Sequence, residues 1–97
     1  MNKKKSISIY TLADLLGADI ELIRFNNQNE RWVANFKNCE TKDSKTSNIL
    51  CVTYGDADDP IGAIVDYCNK IQGKVLVFNP AKKDKRTEFV APMKIII

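Results

Sequence analysis

Residues able to carry chemistry are sparse in this chain, and the gaps are informative. There is no histidine among its 97 residues. Cys–His and Ser–His nucleophile pairs are therefore ruled out. A Ser–Lys dyad is compatible with the composition, since Ser6, Ser8, Ser44 and Ser47 all have lysines nearby in sequence. A dyad needs a rigid setting, however, and these segments are polar and short of apolar anchors. They read as surface. The three cysteines, Cys39, Cys51 and Cys68, are far apart and form no CxxC pair. A zinc site needs about four Cys or His ligands at short spacing, so no such site is expected. Free thiols instead suit a reducing compartment.

Two clusters of charge remain. The first is acidic: Asp56, Asp58 and Asp59, followed by Pro60. Three carboxylates in so short a run resemble half of a calcium loop. Counted from Asp56, though, the positions that an EF-hand fills with Gly and Glu hold Ile61 and Tyr67. Capping and the helix dipole account for the acids more simply. The second cluster is basic: Lys82, Lys83, Lys85 and Arg86, interrupted by Asp84. It can meet phosphates or an acidic protein surface, and is the candidate partner-binding segment. No GxGxxG and no GxxxxGK[ST] is present, and an acidic helix start repels phosphate. No cofactor is expected, and the chain is read as a non-enzyme.

The elements that position these groups follow from the apolar spacing. Leu12, Leu15 and Leu16 predict a short helix over 11–16, capped by Thr11 and stopped by Gly17. Strands are predicted over 20–25, with one slip in alternation that permits a bulge, and over 31–37. The polar stretch 26–29 joins them as a hairpin. Residues 38–48 read as a polar mobile loop, and 49–54 as a third strand. Asp58 or Asp59 caps a long helix opening at Pro60 and closed by Gly73, with Ile61, Ile64, Val65, Cys68 and Ile71 as its apolar stripe. A fourth strand is predicted over 74–78 and a fifth over 86–90, limited by Pro92.

Together these elements predict one α+β domain spanning 1–97. Its form is a two-layer sandwich: an antiparallel sheet of four to five strands, one long helix on one face, and a short N-terminal helix. The helix stripe should rest on Trp32, Ala34 and Phe36. At 44% hydrophobic and 28% charged, the chain has the makeup of a globular protein rather than a disordered one. A net charge of +3 permits nucleic-acid contacts without the one-sided basic excess of a dedicated binder. The basic start at Lys3–Lys5 is followed by no unbroken apolar stretch, so no secretory signal is expected. No segment approaches the ~18 apolar residues of a membrane span. A cytoplasmic location is the expectation.

One stretch carries a family resemblance. Trp32-Val33-Ala34, a polar loop, Tyr54-Gly55-Asp56, Pro60 with Ala63-Ile64, and Ile71-Gln72-Gly73-Lys74 before an apolar strand resemble small bacteriophage and prophage proteins. The same skeleton is distantly similar to the partial RNase-H-like domain of HicB-type antitoxins. The resemblance covers about half the chain. It implies a phage-type protein that binds a host macromolecule, foremost a protein, and among such proteins the inhibitors of host defence, including anti-CRISPR proteins. The alternative it implies is a nucleic-acid-binding accessory or antitoxin-like module, with Lys82, Lys83, Lys85 and Arg86 as its contacts.

Overall fold

The computed structural model describes residues 6–26 and 30–97. Residues 27–29, most of the anticipated hairpin loop, and the basic start 1–5 lie outside the described residues. The elements in chain order are β1 (Ile7–Ser8), α1 (Ile9–Leu16), β2 (Ile20–Asn26), β3 (Glu30–Phe36), β4 (Cys39–Lys42), β5 (Gly55–Ala57), α2 (Pro60–Ile71), β6 (Val75–Phe78), β7 (Thr87–Val90) and β8 (Ile95–Ile96).

Among the described residues the fold is α+β, with two helices and mainly antiparallel pairing, but without the single sheet of the expected sandwich. Three small sheets replace it, ordered β2-β3-β5, β4-β6-β7 and β1-β8. The cause is a corner after β3. Asn38 adopts a left-handed conformation (φ 57°), which turns the chain before β4 and directs it to β6 instead of leaving it beside β2. The Asn79 amide donates to the Asn38 carbonyl at 2.8 Å and fixes the corner against the far end of β6. Residues 38–48 are therefore not all loop: Cys39–Lys42 is a strand, antiparallel to β6. Residues 49–54, expected as a strand, make one isolated bridge among the described residues, Thr41 to Cys51. The strand that completes the hairpin sheet begins later, at Gly55.

The hairpin itself is regular. Its register runs unbroken from Ile20–Phe36 to Asn26–Glu30, without the bulge that the slipped alternation suggested. Trp32, Ala34 and Phe36 share its inner face, and Ala34 and Phe36 are fully buried. Helix α2 lies on that face as anticipated. The Tyr67 ring meets Phe36 edge-on, with centroids 5.6 Å apart. Gly55 permits the close approach: a methyl there would overlap the Ala63 carbonyl oxygen and sit 2.7 Å from the Tyr67 Cβ. Asp59 caps α2 by accepting from the Gly62 amide, with Pro60 in the first turn. The buried stripe is Ala63, Ile64, Tyr67, Cys68 and Ile71. Ile61 and Val65, read as part of the stripe, are exposed, because Ala63 and Tyr67 occupy the side that faces the sheet.

Helix α1 begins earlier than expected. Ser8, not Thr11, is its N-cap and accepts from the Tyr10 amide at 3.2 Å. Its buried face is Ile9, Leu12 and Ala13, and Leu15 is exposed. Gly17 closes it in the left-handed conformation (φ 64°). The parallel pair β1–β8 had no counterpart in the sequence reading. It buries Ile95, whose amide is held by the Gln72 side chain at 3.0 Å.

The second three-stranded sheet is covered on its outer side by an ion pair. The registers place Glu40, Lys42, Val75, Val77, Glu88 and Val90 on one face. Lys42, only 6% exposed, reaches Glu88 at 2.8 Å. Val75, directly opposite Lys42 in the register, and Val77 are themselves buried. No helix among the described residues is long and apolar enough to cross a membrane.

Candidate binding surface

The Ile49–Tyr54 run is largely apolar, as a buried strand would be, yet three of its large side chains face outward. Val52 is 75% exposed, Ile49 72% and Tyr54 46%. The segment is pinned from behind at Thr41. Two backbone hydrogen bonds link Thr41 and Cys51, at 2.9 and 2.7 Å, and the Thr41 and Thr53 hydroxyls lie 2.7 Å apart. Ahead of it, the Ser47 hydroxyl accepts from the Ile49 amide, and Lys74 holds Asp43 at 2.6 Å.

Tyr54 is the best-held member of this run. Lys70, on α2, donates to its carbonyl at 3.1 Å and stands over its ring, 5.8 Å from the centroid. Lys70 in turn pairs with Asp66 at 2.9 Å, and Asp66 accepts from the Asp56 amide at 2.9 Å. Burial pushes the Asp66 carboxyl up. The Lys70 hydrogen bond, the Asp56 amide and the Lys70 charge outweigh it and hold the carboxyl below its ordinary value.

Two shallow concavities meet at Val52. One, of about 440 Å³, is lined by Val52, Thr53, Tyr54, Asp56 and Lys70. The other, of about 360 Å³, includes Asn38, Val52, Asn79, Pro80 and Lys82 in its wall. The exposed apolar run and the start of the basic segment therefore lie on one continuous surface. Asn38 and Asn79 are the non-glycine residues with positive φ among the described residues, at 57° and 53°, and both line the second concavity.

Lys82, Lys83, Lys85 and Arg86 sit on the exposed β6–β7 turn. The turn is ordered by its own backbone: the Lys82 amide donates to Asn79, the Lys85 amide to Lys82, and the Asn79 side chain to the Lys85 carbonyl at 3.3 Å. Only Lys82 of the four reaches the concavity. Arg86 turns back to Glu88 at 3.1 Å. Lys82, Lys83 and Lys85 make no ion pair among the described residues.

The acids at the start of α2 have separate roles. Asp59 caps the helix, Asp58 is exposed, and Asp56 pairs with Arg31 across the hairpin sheet. The hydrogen bond to Asp56, then its charge, raise the Arg31 guanidinium further above its already high ordinary value. The serines next to lysines are also engaged structurally: Ser8 as a cap, Ser44 with Thr46 and Ser47 with Ile49. Cys39 and Cys68 are buried and Cys51 is exposed. Burial pushes the Cys39 thiol up to about 12 and the Cys68 thiol up to about 11, so both stay protonated and unreactive.

The apolar members of this surface, Val52 and Tyr54, carried no mark in the sequence that set them apart from core residues. A short apolar run signals burial by default. Comparison with protein-family models, with curated proteins and with solved structures finds no match to this chain.

Proposed function

We propose that this chain is a non-enzymatic binding protein of phage or prophage type. It docks on a host protein through the surface running from Lys82 across Val52 and Tyr54 to Lys70, and acts in the host cytoplasm as an inhibitor of a defence system. The observation that carries the reading is the exposure of Val52 and Tyr54 in a segment held in place from behind. Exposed apolar side chains on an ordered support, rimmed by charge, have the anatomy of a docking patch. Tyrosine is favoured at interface hot spots, and the lysines at either end suit a partner with an acidic rim. The phage-like skeleton of residues 31–78 supports the inhibitor role.

A second reading is a nucleic-acid-binding accessory or HicB-like antitoxin module. It is favoured by the three turn lysines that make no ion pair among the described residues, and by the place of Lys82 beside Asn38 and Asn79. Capture from host lysate, with and without nuclease, separates the two. The first reading expects a protein retained after nuclease treatment and lost with Val52→Glu or Tyr54→Ala. The second expects retention of duplex DNA that weakens steeply with salt. Lys82→Ala with Lys83→Ala would then flatten the log–log salt slope by roughly two.

A further inference from the structure

We infer that β2 pairs antiparallel with β2 of a second copy of this chain, with Ile23 on the two-fold axis, and so joins two hairpin sheets into one of six strands. A free strand edge is a row of unpaired amides and carbonyls, and proteins blunt such rows by shortening, charging, bulging or covering them. Each of the other edges in the two three-stranded sheets has such a device. β5 is three residues long. β7 is four residues long and carries Glu88, tied to Lys42 and Arg86. The outer edge of β4 is covered at Thr41 by Cys51. β2 carries charge at Glu21 and Arg24 but is neither short nor bulged nor covered among the described residues. It is seven residues long and without a bulge, and among the described residues it pairs with β3 alone. Its Leu22, Ile23 and Phe25 are between 39% and 47% exposed.

What satisfies such an edge is another extended backbone, and the charges on β2 select its own copy and the register. A two-fold axis perpendicular to a continuous sheet must pass through a residue of the strand, because facing residues lie on the same side. An axis at Glu21 sets two Glu21 face to face, and an axis at Arg24 sets two Arg24 face to face; both are disfavoured. An axis at Leu22 leaves Phe25 opposite Asp19, outside the strand. An axis at Phe25 leaves half of β2 unpaired. With the axis at Ile23, Ile20 faces Asn26 and all seven residues are used. Outer-face neighbours across β2 and β3 are Ile23 with Val33 and Phe25 with Arg31. The junction then carries an apolar band from Val33 through both Ile23 side chains to the second Val33. Beside it, Glu21 of each copy falls in one row with Phe25 and the exposed Arg31 of the other, so opposite charges flank each Phe25. β5, next to the Val52–Tyr54 surface, is at the opposite edge of the same sheet, so pairing through β2 leaves that surface open in both copies. The inference does not rest on the proposed function.

The test is sedimentation equilibrium of the full chain over a wide concentration range, with two variants. The wild type should approach twice the 11.0 kDa chain mass as concentration rises. Ile23→Lys, which brings two ammonium groups together on an exposed face, should remain at the chain mass with an unchanged circular dichroism spectrum. The second variant, Ile23→Cys in a Cys51→Ser background, should form an intermolecular disulfide under mild oxidation. Facing Cα atoms lie about 4.5–5.5 Å apart in such a ladder, within disulfide reach. Asp58→Cys in the same background, exposed but away from β2, should cross-link far more slowly. The chain mass at every concentration, a dimer that survives Ile23→Lys, or equal cross-linking at positions 23 and 58 would each overturn the inference.

Discussion

Replacing Gly55 by alanine tests the packing that places the binding surface. The added methyl lies 2.7 Å from the Tyr67 Cβ and overlaps backbone atoms of Ala63 and Tyr67. Carbon atoms pack best about 3.5–4.0 Å apart, so α2 must retreat by about 1 Å. Neither side can yield by rotating a side chain, since the obstruction is helix backbone. A gap of that size forfeits a large part of each contact made by Ala63, Tyr67 and their neighbours on the buried stripe. Overpacking in a close-packed core typically costs 1–3 kcal/mol, and a clash with backbone belongs at the top of that range, about 3 kcal/mol. For a domain of this size that is a fall in Tm of roughly 12–24 °C. Gly17→Ala is the control. Gly17 has φ 64° and nothing within 4 Å of the added methyl, so its cost is backbone strain alone, about 1–2 kcal/mol. Differential scanning calorimetry on both variants decides. A Gly55→Ala midpoint within a few degrees of wild type would refute the seating of α2 on β5, and with it the Lys70 support for Tyr54.

Three further outcomes are expected. Ile64→Asp puts an unpaired charge in the core and should cost at least about 3 kcal/mol, whereas Ile61→Asp, exposed in the first turn of α2, should stay within about 0.5 kcal/mol; equal losses would refute the observed helix face. The buried Tyr67 hydroxyl makes no hydrogen bond of good geometry among the described residues, with only the Cys39 thiol and the Phe36 backbone near it, so Tyr67→Phe should stabilise the fold by about 1 kcal/mol in urea titrations; destabilisation by that amount would mean that one of those contacts is a true hydrogen bond. Stability should also decline in alkali. The Cys39 and Cys68 thiols ionise at about 12 and about 11 in the fold, against an ordinary 9.0. The unfolded chain therefore loses these protons first. The stabilisation is complete below about pH 9 and lost as pH rises toward the folded values, at up to about 1.4 kcal/mol per pH unit for each thiol. A urea midpoint that is flat between about pH 8 and about pH 10 would contradict this.

Much of the architecture is local and was legible in the sequence. Asp59, Pro60 and Gly73 bracket α2, and Trp32, Ala34 and Phe36 announce the face that receives it, because capping chemistry and alternation act within a few residues. What escaped depends on distant partners. Cys39–Lys42 reads as polar loop because the burial of Lys42 is compensated by Glu88, far along the chain. The β1–β8 pair joins the two ends of the described chain, and no local pattern encodes it. Residues 49–54 show the reverse failure. Their apolar run signals a buried strand, but the bend at Asn38 takes β4 to β6 and leaves the run with one bridge among the described residues and an exposed apolar side. At the surface, the lysine run at 82–85 was visible as charge. Val52 and Tyr54 were not, because exposure is a property of the assembled sheets.

Protein binding by the Val52–Tyr54 surface is the proposal on which the functional reading depends. Its most direct test is capture from nuclease-treated host lysate by the wild type and by Val52→Glu, each first shown to be folded by circular dichroism. The expected result is a specific protein that binds the wild type and is lost with Val52→Glu, and that binds the purified wild-type chain in return. Equal retention by both, or retention that disappears once nucleic acid is digested, would contradict it.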